Sequence, residues 1–402
     1  MKEKKPRYNR SMPLVYGFSM TFLAGIVYIW SVFVVPLENE FGWSRGELSV
    51  AFSMIMVMLT VGSLLGGYLL EKKGARTVLT TGSVILGLSF ISVSFIESLI
   101  GLYILYGLLC GLGIGMLYVP AIAIGIKWFP ERSAFAAGVI VTGVGVGTLV
   151  FAPLATWLII QYGWRSTFQY LGIILLIGAL ILAQLMKTPE VNWKPPVKSK
   201  SKSVDAQKDG GFTPKEMVVT PQFWQIYAMF MLFSAPGLMV IGHIAAFAEG
   251  IGMEKMVAAA AISVLSFCNA ASRMGIGAIA DRIGIKKVLI ITSIVQMLIM
   301  AMLIRMTTVT TLYFAAAVIG VCFGSILALP PALTANYFGI QHIGKNYGIL
   351  LTAWGMGAVI GASLGGYLFD LYGSYSLPFI VAAVFSGIAA LILFTLKPPK
   401  HR

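Results

Sequence analysis

Twelve stretches of this chain are apolar enough and long enough to cross a lipid bilayer, and short polar loops separate them. A hydrocarbon core about 30 Å thick takes about 20 apolar residues in helical form. Backbone N–H and C=O groups inside lipid have no water to bond, so such runs cross as helices or as strands of a closed barrel. The runs here are continuously apolar rather than alternating, which selects helices. The expected spans are 13–36, 47–70, 77–96, 99–126, 133–161, 166–186, 221–249, 255–280, 287–305, 310–337, 344–370 and 375–396. The fold class is therefore an all-α membrane protein with twelve transmembrane helices.

Composition agrees and narrows the function. Of the 402 residues 58% are hydrophobic and 11% charged, and the mean hydropathy is +0.88. Soluble domains carry about 25% charged residues. The net charge of +14 could suggest nucleic acid, but the basic residues sit in short clusters between apolar runs. That distribution marks the cytoplasmic side of a membrane protein. Lys2, Lys4, Lys5, Arg7 and Arg10 precede the first span, and KPPKHR ends the chain. The loops on the opposite side hold at most one basic residue each, at Arg45, Arg165, Lys255 and Arg305. Both termini are expected in the cytoplasm of a cell, with the chain multi-pass in the cell (inner) membrane. No cleavable signal peptide is expected, since the run after the basic start is of full spanning length. Cys110, Cys268 and Cys322 fall inside spans without metal-ligand or disulfide spacing, and read as small apolar residues. No Ser/His/Asp set, metal cluster or nucleotide motif is present, so neither an enzyme nor a cofactor is expected.

The two halves repeat. Gly67-x3-Glu71-Lys72-x-Gly74-x-Arg76 returns 210 residues later as Gly277-x3-Asp281-Arg282-x-Gly284-x-Lys286. Pro120 matches Pro330, Gly138 matches Gly348, Gly145 matches Gly355, and Tyr162-Gly163 matches Tyr372-Gly373 at the same offset. Two six-helix repeats in parallel relation are a transporter architecture, with a binding site near mid-membrane. Residues 1–186 form the first half and 221–402 the second. Between them lies 187–220, of which 187–215 holds seven lysines against three acidic residues and lacks apolar residues to pack. It is expected to be a flexible cytoplasmic linker. The glycines at 143, 145 and 147, and at 355, 357 and 361, are expected to let helices pack closely.

One charge lies deep in a span. Arg273 belongs to AAAAISVLSFCNAASRMGIGAIAD (258–281). A charge at membrane depth costs at least a few kcal/mol unless it faces a cavity or a partner. Cys268 and Asn269 lie about one turn earlier on the same face. Arginine side chains lean toward their helix N-terminus, which aims the guanidinium at Asn269. The functional reading is an anion site; the structural alternative is an arginine paired with a carbonyl or a distant carboxylate.

The duplicated loop motif, acidic then basic with glycines, resembles the major facilitator superfamily. In that family the acidic residue pairs with basic residues of a neighbouring helix and latches the outward-facing state. The resemblance assigns Gly67, Glu71, Arg76, Gly277, Asp281 and Arg282 to a conformational latch. A closer resemblance covers nearly the whole chain. GIVYIWSVF (25–33), GLGIGMLYVP (111–120), KWFPER (127–132), TPQFW (220–224), CNAASR (268–273) and KNYG (345–348) are similar to the oxalate/formate antiporter family, a branch that includes bacterial monocarboxylate transporters. The resemblance implies small carboxylate substrates, Arg273 as the substrate-binding arginine, and a monomer. Two departures qualify it. Oxalate-exchanging members carry a lysine in helix 11 where this chain has Trp354. A dianion would keep one charge unmatched there, at a cost of several kcal/mol, so the cavity suits a monoanion. Animal monocarboxylate transporters carry an Asp four residues before the helix-8 Arg, where this chain has Asn269.

The expected substrate-binding set is Arg273, Tyr118, Asn269, Tyr28, His243 and Trp354. Tyr28 and Tyr118 would donate hydroxyls to a carboxylate, Asn269 would position Arg273 or touch substrate, and Trp354 would form an apolar wall. A histidine can change charge near physiological pH, so His243 could carry a coupled proton. Each has a structural alternative: interfacial or packing tyrosines, a packing tryptophan, a neutral histidine bonded across helices. The function expected is secondary active transport (symport) of a small organic anion, a monocarboxylate of the lactate, pyruvate or formate kind, by alternating access with proton coupling. The alternatives are an oxalate/formate-type anion exchanger and a non-transporting carboxylate sensor. The partners are the carboxylate, protons and the lipid bilayer, with no nucleic acid.

Overall fold

The computed structural model describes residues 9–190 and 211–399, and is helical throughout its ordered elements. The basic residues at 2, 4, 5 and 7, positions 191–210 of the expected linker, and the last three residues lie outside this range. Ten of the described helices are long and apolar enough to cross a membrane. Two of them, Val50–Val93 and Pro130–Leu185, have 44 and 56 residues, about twice what one crossing needs. Each contains one residue outside helical geometry, Gly74 (φ 82°, ψ 169°) and Gly163 (φ 79°, ψ 164°), a region open essentially to glycine alone. Each long helix is therefore two spans back to back, and the described residues hold twelve spans.

In chain order, span 1 is Met12–Phe41, spans 2 and 3 share Arg45–Val93, and span 4 is Leu99–Trp128. Spans 5 and 6 share Ser133–Leu185. Span 7 is Pro221–Gly250, span 8 Lys255–Ile283, span 9 Ile285–Leu303. Span 10 runs through Val309–Ala328 and Pro330–Phe338, span 11 is Ile343–Tyr372, and span 12 is Ser376–Thr395. The sequence repeat now has a geometric reason. Gly74 and Gly284, and Gly163 and Gly373, all have positive φ, and each reverses the chain between two spans.

The chain divides into two compact units, Met1–Lys200 and Ser201–Arg402. In the first, glycines bring spans 1 and 5 into backbone contact. A Cβ at Gly147 would stand 2.0 Å from the Phe22 carbonyl oxygen, and one at Gly25 2.4 Å from that of Val144. Without a hydrophobic drive between helices in lipid, such close packing is what holds them together. Span 1 tightens here into a 3-10 turn, Gly25–Ile29, and the Gly25 carbonyl accepts a bond from Thr148 Oγ1 at 3.0 Å. Gly115 of span 4 packs on the Leu59 carbonyl of span 2 in the same way. Span 4 itself contains a π-helical segment, Tyr103–Cys110, whose buried Tyr106 packs tilted or edge-on among Trp30, Phe90 and Phe168.

The KWFPER loop closes this unit on itself. Arg10 donates from Nε to the Trp128 carbonyl at 2.8 Å, pairs with Glu131, and lies over the Phe129 ring. Trp128 Nε1 donates to the Lys187 carbonyl at 2.7 Å. One loop thus fastens both the start of span 1 and the end of span 6.

The second unit repeats the glycine contacts. Gly361 of span 11 faces the Ala235 carbonyl of span 7, and Gly320 of span 10 faces the Leu265 carbonyl of span 8. The chain before span 7 differs at its end from the expectation of an unpacked segment over 187–215. Pro214–Val219 is helical, opened by a capping box in which Thr213 and Glu216 bond each other's backbone N–H. Phe212 packs edge-on against Phe338, and its N–H donates to the Phe338 carbonyl at 2.8 Å. Asn346 Nδ2 donates to the Phe212 carbonyl at 2.9 Å. Composition averaged over the segment hides Phe212 and Met217, the two apolar residues that anchor its end.

Candidate functional site

The loop motifs sit where the repeat places them. Gly67 and Gly277 are buried near the ends of spans 2 and 8, Glu71 and Asp281 are half-buried a turn later, and Lys72, Arg76 and Arg282 are exposed. The Glu71 carboxylate acts electrostatically on Lys127 at the end of span 4. In the second copy, Lys286 Nζ donates to the carbonyls of Leu396 (2.7 Å) and Phe394 (3.2 Å). That places a cation on the C-terminus of span 12, where the helix dipole is negative.

Arg273 is 6% exposed inside span 8, and its Nε donates to Asn269 Oδ1 at 3.2 Å. The side chain leans one turn back along its own helix, as the Cβ direction requires. Asn269 is itself buried at 9% exposure. Its helix is pressed against span 10: a Cβ at Gly324 would stand 2.7 Å from the Asn269 carbonyl oxygen, which also accepts from Ser272 Oγ at 3.1 Å. The backbone carrying the Arg273–Asn269 pair is therefore held on one side by span 10. Among the described residues no cluster of His, Cys, Asp and Glu could hold a metal ion.

Depth sorts the other candidates. At 1.5 Å of rise per residue, Arg273 lies about 15 Å from the Ile283 end of span 8. Trp354 lies about 16 Å from the Ile343 end of span 11, which is on the same side of the unit. Trp354 is 6% exposed, and its indole Nε1 is buried without a hydrogen-bond acceptor. His243 is elsewhere. It stands about 10 Å from the Gly250 end of span 7, while Arg273 stands about 27 Å from the Lys255 start of span 8 on that same side. The half-buried His243 ring packs on Gly365 and Gly366 of span 11, and Nδ1 pairs with the Tyr375 hydroxyl at 3.3 Å. His243 thus belongs to a different level of the second unit than Arg273. In the first unit, Tyr118 is buried in span 4 about 15 Å from its Trp128 end, and Tyr28 is 40% exposed in the 3-10 turn of span 1.

The structure adds a residue that sequence reasoning passed over. Gln296 of span 9 is fully buried, and its Nε2 donates to the Phe233 carbonyl of span 7 (3.0 Å) and to Ser386 Oγ of span 12 (3.2 Å). Phe233 lies just before Pro236, whose missing N–H and ring loosen the helix ladder there. A lone amide in an apolar run was the signal available.

A family model described as Major Facilitator Superfamily matches residues 16–311 and 246–402. The chain is 28% identical over 353 residues to an uncharacterized MFS-type transporter, YhjX, of Escherichia coli, covering 87% of this chain and 86% of that protein. It is 26% identical to the oxalate:formate antiporter of Oxalobacter formigenes, covering 94% and 89%. It is 25% identical to monocarboxylate transporter 13 of Rattus norvegicus, covering 94% and 86%. Among solved structures, the proton:xylose symporter XylE superposes with a TM-score of 0.74 at 14% identity, covering 96% and 95%. The transporter FucP in its outward conformation gives 0.71 at 16% identity, covering 96% and 99%. The two solved structures speak to the fold alone.

Proposed function

This chain belongs to the Major Facilitator Superfamily, and on that footing we propose that it moves a small monocarboxylate across the membrane by alternating access. It is a multi-pass membrane protein whose relatives are transporters, not enzymes. The observation that carries the proposal is the buried Arg273, oriented by a neutral amide. A guanidinium at this depth is costly unless an anion meets it. Its neighbour on the helix face is Asn269, which offers no counter-charge. One fixed positive charge matches one carboxylate, and a dianion would carry an unmatched charge into low dielectric. The relatives named as oxalate:formate and monocarboxylate carriers support a carboxylate cargo. Tyr118 and Tyr28 of the first unit, and Trp354 of the second, are further residues proposed to contact substrate. Proton coupling is the first reading for energy input, with His243 as a proton group at the outer level; it acts apart from the Arg273 level. Glu71 and Asp281, with the glycines and basic residues of their loops, are the conformational latch. Both termini are placed in the cytoplasm by the basic loops.

Uptake of radiolabelled L-lactate, formate and oxalate into liposomes holding the purified protein tests the reading. Uptake of a monocarboxylate is expected, with Arg273→Ala inactive and Arg273→Lys weak. Normal transport by Arg273→Ala overturns the site. A second reading, anion exchange, is favoured by the similarity to an antiporter. Counterflow that persists without a pH gradient and needs internal anion would select it.

A further inference from the structure

The 210-residue repeat sets span 9 against span 3, and the two differ in how they meet their neighbours. Span 9 is bonded through polar side chains. Gln296 Nε2 donates to the Phe233 carbonyl of span 7 (3.0 Å) and to Ser386 Oγ of span 12 (3.2 Å), and Ser325 Oγ of span 10 donates to Thr292 Oγ1 (3.0 Å). The positions matching Gln296, Phe233, Ser386, Ser325 and Thr292 in the first half are Leu86, Leu23, Leu176, Gly115 and Gly82. There the contact is apolar: a Cβ at Gly87 of span 3 would stand 2.5 Å from the Leu176 Cβ of span 6. A buried amide is thus no requirement of the fold at this place.

The amide holds span 7 where its ladder is weakest. Pro236 has no N–H to offer the Leu232 carbonyl, so a rung is missing beside the carbonyl that Gln296 bonds. Neighbours close on the same turn from other sides. A Cβ at Gly237 would meet the Phe323 ring of span 10 at 2.3 Å, and one at Gly361 of span 11 the Ala235 carbonyl oxygen at 2.2 Å. Two orphaned atoms lie on the span 9 side. Among the described residues, Gln296 Oε1 and Ser293 Oγ are buried without a hydrogen-bond partner. The first-half counterpart of Ser293, Ser83, donates back to the Leu79 carbonyl at 2.6 Å, an ordinary bond for a helix serine. Ser293 makes no such bond. Its hydroxyl is a donor and Gln296 Oε1 an acceptor, and residues three apart share a helix face.

We propose that Gln296 is a positioning residue with two hydrogen-bonding states, one of which steadies span 7 at Pro236. In the observed state Nε2 holds the Phe233 carbonyl. In the other, the amide releases that carbonyl and Oε1 accepts from the Ser293 hydroxyl, which frees span 7 to flex as the transporter changes access. Each state bonds a group that the other leaves unpaired, which keeps the two close in energy. The proposal needs a chain that alternates between conformations and is independent of which acid it carries.

Two variants test it in the full chain. Gln296→Leu installs the first-half residue, removes one orphan and leaves Ser386 Oγ bonded to the Ala382 carbonyl at 3.0 Å, so it should unfold near the native temperature. Ser293→Ala deletes a hydroxyl that bonds nothing in the observed state, and should also unfold near the native temperature. Hydrogen exchange over 230–242 of the purified protein, read by mass spectrometry, should move in opposite directions. Gln296→Leu should exchange faster by on the order of two- to tenfold, the worth of one ordinary hydrogen bond, and Ser293→Ala more slowly. In liposomes both should lower kcat for L-lactate by a similar factor with KM within about twofold, because each removes one state of the cycle. Ser293→Ala matching the native protein in exchange and in kcat overturns the proposal, since a purely structural Gln296 would not involve that hydroxyl. Gln296→Leu with native exchange over 230–242 overturns it as well. Absence of L-lactate, formate and oxalate uptake by the native protein counts against the monocarboxylate reading alone; the exchange comparison needs no cargo and decides this proposal by itself.

Discussion

Arg273 Nε donates to Asn269 Oδ1 at 3.2 Å, one turn apart on span 8, with both side chains buried. The amide is a neutral partner of the guanidinium, where a carboxylate in its place would be a charged one. Asn269→Asp is expected to lower substrate affinity by on the order of tenfold or more at neutral pH, because the introduced carboxylate competes for the same cation. Acidification should restore binding, since protonating that carboxylate frees the arginine. KM measured between pH 5 and 8 in Asn269→Asp checks this; a KM independent of pH would show that the two side chains do not couple. Asn269→Ala should raise KM at every pH, with no recovery in acid.

The glycine contacts predict where bulk is not tolerated. A Cβ at Gly147 would lie 2.0 Å from the Phe22 carbonyl oxygen, and at Gly361 2.2 Å from that of Ala235. Both obstacles are backbone and cannot step aside. Gly147→Ala and Gly361→Ala should each cost about 1–3 kcal/mol through forced separation of spans 1 and 5 or 7 and 11. Gly275, with nothing within 4 Å, should accept alanine freely. Thermal unfolding in detergent followed by tryptophan fluorescence separates the two classes.

Acid should loosen the start of span 2 before the spans themselves. Glu47 lies outside the apolar window, and bonds from the Ser44 N–H and hydroxyl hold its carboxyl below the usual range. A carboxyl with a lowered pKa in the folded state stabilises above its unfolded value, about 4.3, and loses that contribution as pH falls through the folded value. Protection of the amides at the first turn after Ser44, taken relative to the intrinsic exchange rate at each pH, should therefore fall below about pH 4. Ser44→Ala should already exchange fast at pH 6 and respond less to acid. Equal exchange in both proteins across this range would show that the capping box does not hold the helix end.

How far the sequence reached depends on which forces set each feature. Hydropathy placed the spans because lipid leaves a chain few choices: every peptide group must bond within its own helix. Their ends moved by a few residues, and spans 2–3 and 5–6 follow one another without an intervening loop, each pair turning at a single glycine, Gly74 or Gly163. Arg273 stood out because a charge in an apolar run is expensive wherever it points, and its pairing with Asn269 followed from helix geometry alone. The folded end of the linker did not stand out, because two buried apolar residues barely change the average of a polar segment.

Membrane residence, two repeated halves, the buried Arg273 and its bond to Asn269 were decided by the amino-acid order itself, through period, spacing and charge within single helices. Tertiary structure alone decided what touches what between helices. It set His243 beside Tyr375 rather than at the level of Arg273, bonded Gln296 to the Phe233 carbonyl of span 7, and left the Trp354 N–H without an acceptor. The reason is physical: a helix carries its own hydrogen bonds and shows them in its sequence, but which face meets which neighbour depends on close packing among residues far apart in the chain.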